Sequence, residues 1–138
     1  MYSRILVPVD MDNVDKLAKA IALAAQTAKS NGASLLFVDV VDAVPTTTRI
    51  TEGEKMADRL TQFAADQAKA HGIEITAHVA LRGDLHLNVG ADIIDAAKDA
   101  DCDLIIMASH VPGMKEYFLA SNAGYVASHA QISVYVIR

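Results

Sequence analysis

Apolar positions along this chain follow two rhythms that alternate. "RILVPVD" (Arg4 to Asp10) is an unbroken apolar run rich in Val and Ile, the pattern of a strand buried on both faces. "MDN" follows and offers Asp12 or Asn13 as an N-cap. Val14, Leu17, Ala18, Ile21, Ala24, Ala25 and Ala28 then recur at helical spacing, which predicts an amphipathic helix from Val14 to Lys29. "SNG" stops it, with Gly32 in the place of a C′ glycine. "SLLFVDVV" (Ser34 to Val41) reads as a second strand. Past the loop "DAVPTTTRI", Thr51 and Glu54 have capping-box spacing, and a helix is expected from about Gly53 to Ala70, ended by His71-Gly72. "IEITAHVAL" (Ile73 to Leu81) alternates apolar with polar, as an edge strand does. A turn-rich connection, "RGDLHLNVG", leads to a helix from Ala91 to Ala100. The strand "DLIIMAS", a short helix from Ser121 to Ser128 and a last strand "SVYVIR" complete the chain.

Strands alternating with helices argue for an α/β fold: a parallel sheet covered on both faces. No repeat, low-complexity tract or linker interrupts residues 1–138, so one domain is expected. Five parallel strands joined by right-handed crossovers are commonly ordered 3-2-1-4-5. Ligands of open α/β sheets sit beyond the carboxyl ends of the strands, where the strand order reverses. Here that place lies between strand 1, ending Pro8, Val9 and Asp10, and strand 4, ending Ala108, Ser109 and His110. Strand 2 ends beside them in Val40-Val41, where a flat ring could bond to backbone groups. Neither G-x-G-x-x-G after strand 1 nor G-x-x-x-x-G-K-[ST] is present. The stretch "ASHVPGMKEYFLASNAG" (Ala108 to Gly124) is therefore either a plain connection or an anion-holding loop. The second reading uses the free N–H groups of a helix starting at Ser121 and Asn122.

Composition narrows the classes. With 52% apolar and 21% charged residues, 138 residues are enough for a soluble core. A formal charge of -5 lacks the basic footprint that nucleic acid calls for. One cysteine, Cys102, allows no intrachain disulfide and reads as a structural thiol. Apolar runs fall far short of the ~20 residues of a membrane helix, and the amino terminus enters a strand at once, so a cytoplasmic protein without membrane insertion is expected. His78 and His86 bracket Asp84 without fixed ligand spacing, and no metal site is assigned. A hydrolase built on Ser109, His110 and Asp10 is disfavoured. Adjacent strand residues point to opposite faces, and no G-x-S-x-G elbow exists. Lys115 reads as a solvated loop lysine.

Taken together, "ILVPVD", "DLIIMASH", "ASN" and the closing "SHAQISVYVIR" resemble the universal stress protein family over essentially the whole chain. The "ASHxP" form, with Ser109, His110 and Pro112, is similar to the F-type branch of small bacterial members. The resemblance implies a Rossmann-like, three-layer sandwich of the adenine nucleotide alpha hydrolase-like kind, holding ATP or AMP, with or without Mg2+. In the nucleotide-binding members the aspartate ending strand 1, here Asp10, meets the ribose; capping of the first helix is its other reading. Adenine meets the backbone near Val40. The phosphates meet a glycine-bearing loop and the next helix start, here Ala108, Ser109, His110, Pro112, Gly113, Ala120, Ser121 and Asn122. Ala108, Val111 and Ala120 stand where that loop has glycine. Alanine at 120 is unstrained only if its φ is negative.

The expected function is thus a nucleotide-binding regulator in a stress response, with little or no hydrolysis, since no Walker lysine or general base is evident. The alternative is a dimeric interaction module of the same fold that binds no nucleotide; a slow ATPase is a third. The family pairs its last strand with a second copy, which implies a homodimer through Ser133 to Arg138. An unknown protein partner is left open.

Overall fold

In the computed structural model, which describes residues 1–42, 47–82, 88–109 and 120–138, each apolar run forms a strand. The first becomes β1 (Arg4–Pro8), where Ile5, Leu6 and Val7 are at most 1% exposed. β2 (Ser34–Asp42) is apolar apart from Ser34, Asp39 and Asp42, and β4 (Leu104–Ala108) is apolar throughout. β3 (Ile75–Arg82) and β5 (Ser133–Ile137) complete the sheet. The order is β3-β2-β1-β4-β5, and every neighbouring pair is parallel. This is the expected doubly wound arrangement.

Side chains of a strand point alternately to the two faces, and each face carries its own core. Ile5, Val7, Leu35, Phe37, Leu104 and Ile106 share one face with α1 (Ala18–Asn31) and α2 (Thr47–His71), through residues such as Ala24, Leu60 and Ala64. Leu6, Leu36, Val38, Ile105 and Met107 share the other with α3 (Val89–Asp99) and α4 (Ala120–His129), through Ile93, Ala97, Ala123 and Val126. The long apolar runs of the central strands and the alternating β3 follow from this. On β3 the core-facing Ile75, Ala77 and Val79 are partly buried, and Thr76 and His78 are exposed at the edge.

Three boundaries differ from the sequence pattern. The first helix does not begin with a cap at Asp12 or Asn13. Asp10 is the cap, accepting from the Asp12 N–H at 3.0 Å, and a 3-10 helix (Met11–Leu17) precedes α1. Asn13 also donates its side-chain amide to Asp10 at 2.8 Å and leaves helical backbone angles (φ -129, ψ 25). Such local side-chain bonds compete with the α-helical ladder. The second difference is at α2, which starts at Thr47, so Thr51 and Glu54 lie inside the helix and form no N-terminal capping box. Third, α3 starts at Val89 because Asn88 caps it, accepting from the Gly90 N–H at 2.8 Å. Gly32 and Gly72 end the first two helices in the left-handed conformation, both at φ +66.

Candidate functional site

The strand ends create the site. β1 is in register with β2 up to Pro8↔Val38, and β2 runs on past it to Asp42. On the other side the β1–β4 ladder is short, Ile5↔Leu104 and Leu6↔Ile105. Above these pairings β1 turns away into the 3-10 helix, leaving a crevice at the switch point of the sheet.

The crevice holds a shallow concavity, open to solvent, whose enclosed volume is about 20 Å³. Pro8, Val9 and Asp10 form one wall; Val38, Asp39 and Val40 form the second; Val89 and Ile93 of α3 close the apolar side. The Val9 N–H donates to the Val38 carbonyl at 2.8 Å, so Val38 turns its backbone polar groups toward β1. By the two-residue alternation of a strand, Val40 turns its own the same way. β1 has already left the sheet at that height. The backbone edge of Val40 therefore faces the crevice.

Asp39 is the residue that the sequence pattern does not single out. It is only 5% exposed. Its carboxylate accepts from the Met11 N–H at 3.3 Å and so ties the end of β2 to the 3-10 helix. Burial pushes its pKa up to about 6; the Asp10 and Asp12 charges push the same way, while the Met11 N–H and the Arg59 guanidinium pull against them. Arg59 is itself engaged with Asp12 (3.4 Å) and the Met11 carbonyl (3.3 Å). The available signal was the aspartate inside "LLFVDVV": a charged side chain in a strand buried on both faces is costly unless it serves a site.

The phosphate-side residues divide. Ala108 ends β4, and Ser109 follows with its N–H on the Ile137 carbonyl at 2.8 Å. The Ser109 hydroxyl is buried and has no hydrogen-bond partner. By alternation it falls on the face of Met107, which α3 and α4 cover. Ala120 and Ser121 are in the first turn of α4, and Asn122, at 6% exposure, is buried there. Among the described residues the only non-glycine with positive φ is Asp101, so Ala120 sits in helical backbone without strain. His110, Pro112 and Gly113 lie outside the described residues. Cys102 is buried, and burial pushes its thiol up to about 11, far from a reactive thiolate. Among the described residues no cluster of three metal-ligating side chains forms, and no helix is long and apolar enough to cross a membrane.

The model of the universal stress protein family matches residues 1–138. The chain belongs to the universal stress protein family. Universal stress protein G of Salmonella typhimurium is 25% identical over 146 aligned residues, covering all of both chains. The universal stress protein of Archaeoglobus fulgidus in complex with dAMP superposes with a TM-score of 0.72 at 22% identity, covering 99% of this chain and 98% of that one. A universal stress protein in complex with cAMP gives 0.71 at 19% identity, with 99% and 97% covered. At these identities the two structures establish the Rossmann-like α/β fold shared by the family.

Proposed function

We propose that this universal stress protein binds an adenine nucleotide, ATP or AMP, at the switch point of its sheet and acts as a cytoplasmic stress-response regulator with little or no hydrolysis. The observation that carries this reading is the crevice itself. It offers the Val40 backbone edge to a flat base, the Asp10 carboxylate to hydroxyl donors, and an apolar lining of valines and Ile93 to the ring faces. Family members in complex with dAMP and cAMP support the choice of adenine. On the phosphate side the orphaned Ser109 hydroxyl supports an absent acceptor, since a buried hydroxyl without a partner is costly. The first turn of α4 (Ala120, Ser121, Asn122) adds the positive end of a helix dipole. His110, Pro112 and Gly113 belong to the same loop by sequence. Mg2+ would arrive with a triphosphate, held mainly by its oxygens, as is usual for this ion.

The reading is tested by mass spectrometry of small molecules released from freshly purified protein, with calorimetric titration of ATP and AMP. A stoichiometric adenine nucleotide, or a fitted affinity that Asp10→Ala weakens, supports it. An empty pocket and no heat at millimolar nucleotide favours the second reading, a dimeric interaction module. That module has its own supporting observation: Tyr135 and Val136 on the edge strand β5 are 38% and 40% exposed. An apolar open edge invites pairing with another chain, and we assign a homodimer through Ser133–Arg138. Light scattering should report twice the chain's 14.7 kDa, and Val136→Lys should return it to the monomer.

A further inference from the structure

We propose that Asn13 is a positioning residue for the sugar side of the crevice: it holds the Asp10 carboxylate in place so that the site reads free hydroxyls on the ligand's sugar. The inference rests on the nucleotide reading of the site and adds a residue to it. Asp10 still has extended backbone (φ -93, ψ 107). Val9 before it belongs to the core under α1 and α2. Strand alternation therefore turns Asp10 to the opposite face, the one that Val38, Val40, Val89 and Ile93 share along the concavity. Its carboxylate is held at both oxygens. Oδ1 accepts from the Asp12 N–H at 3.0 Å and Oδ2 from the Asn13 side-chain amide at 2.8 Å. A helix cap needs only the first of these bonds. Asn13 leaves helical angles where it makes the second, and the helix is kinked there. That is a local cost which capping alone does not call for. The turn is also anchored from two sides. The Met11 N–H donates to Asp39 of β2, and the Met11 carbonyl accepts from Arg59 of α2, both at 3.3 Å. Each carboxylate oxygen offers two acceptor sites, so after these bonds one on each is left for an outside donor. Two acceptors in one fixed plane match a pair of neighbouring hydroxyls. A phosphate at the same sugar position would meet the Asp10 and Asp12 charges instead. The ligand class selected is a nucleotide whose sugar carries free hydroxyls. Without Asn13 the carboxylate keeps only the Asp12 N–H and turns about that single bond.

The test compares AMP with dideoxy-AMP, which lacks both sugar hydroxyls, by calorimetry on wild type, Asn13→Ala and Asn13→Asp. The last variant keeps the shape of the side chain but replaces its donor by a charge. Wild type should bind AMP at least about tenfold more tightly than the dideoxy analogue, the fold-change of one hydrogen bond to a charged group. Both variants should bring that ratio to within about threefold, with the affinity for dideoxy-AMP nearly unchanged. In wild type the Asn13 side-chain amide resonances should move with AMP and stay in place with the dideoxy analogue, a readout that does not depend on either variant folding. Equal wild-type affinities for the two ligands, variants that weaken both ligands alike, or Asn13 resonances unmoved by bound AMP would each overturn the positioning role and leave the nucleotide site standing. If neither ligand gives heat at millimolar concentration and neither shifts the Val38 to Val40 amides, the nucleotide reading fails and this inference with it.

Discussion

Replacing Asp39 by asparagine is expected to stabilise the ligand-free protein at neutral pH and to change little near pH 4. The folded carboxyl titrates at about 6 against an ordinary 3.8. Its folded pKa is raised, so the native state binds more protons than the unfolded chain between those values, and stability falls as pH rises through that window. At 1.36 kcal/mol per pH unit the full shift corresponds to on the order of 3 kcal/mol. The group is 5% exposed, so solvent screening removes little of this. An asparagine oxygen keeps the Met11 N–H bond and removes the charge. Urea unfolding of both proteins from pH 4 to 8 measures the difference. The gap should open between about pH 4 and 6 and stay flat above, with a higher melting temperature for the variant at pH 7. A gap independent of pH, or a variant less stable at pH 7 than at pH 4 relative to wild type, would refute the argument that the buried charge is the cost.

Other sites should respond as follows. Ser109→Ala removes an unsatisfied buried hydroxyl, so ligand-free stability should hold or rise by up to about 1 kcal/mol, while calorimetry should show weaker AMP binding. A Cβ on Gly90 would lie 2.7 Å from Tyr125 Cδ1 and 3.2 Å from its Cβ; Gly90→Ala should push α3 from α4 and lose roughly 1–3 kcal/mol in urea unfolding. Asn88→Ala should cost about 1 kcal/mol by removing the α3 cap, read as a lower urea midpoint with unchanged slope. Phe37→Ala, which empties a fully buried position stacked 5.6 Å from Phe63, should cost about 3–5 kcal/mol and threaten folding altogether.

What the sequence determined by itself is what depends on local rhythm. Runs such as "ILV" and "LIIM" are apolar on both faces, and only a parallel sheet between two helical layers buries both. From that followed the alternation of elements, the strand order, the edge position of β3 and a crevice beside Pro8, Val9 and Asp10. The tertiary structure decided what depends on neighbours distant in the chain. Asp10 caps the first helix because its oxygens meet Asp12 and Asn13 in a 3-10 turn, a geometry that the capping pattern of "MDN" did not separate from its alternatives. α2 extends back to Thr47, ahead of the Thr51 and Glu54 pattern. Asp39 gained its hydrogen-bond partner only when Met11, twenty-eight positions earlier, was brought against it. A charge in a buried strand is visible in sequence, but whether it finds a partner, and how far its pKa moves, depends on the solvent and charges that folding places around it.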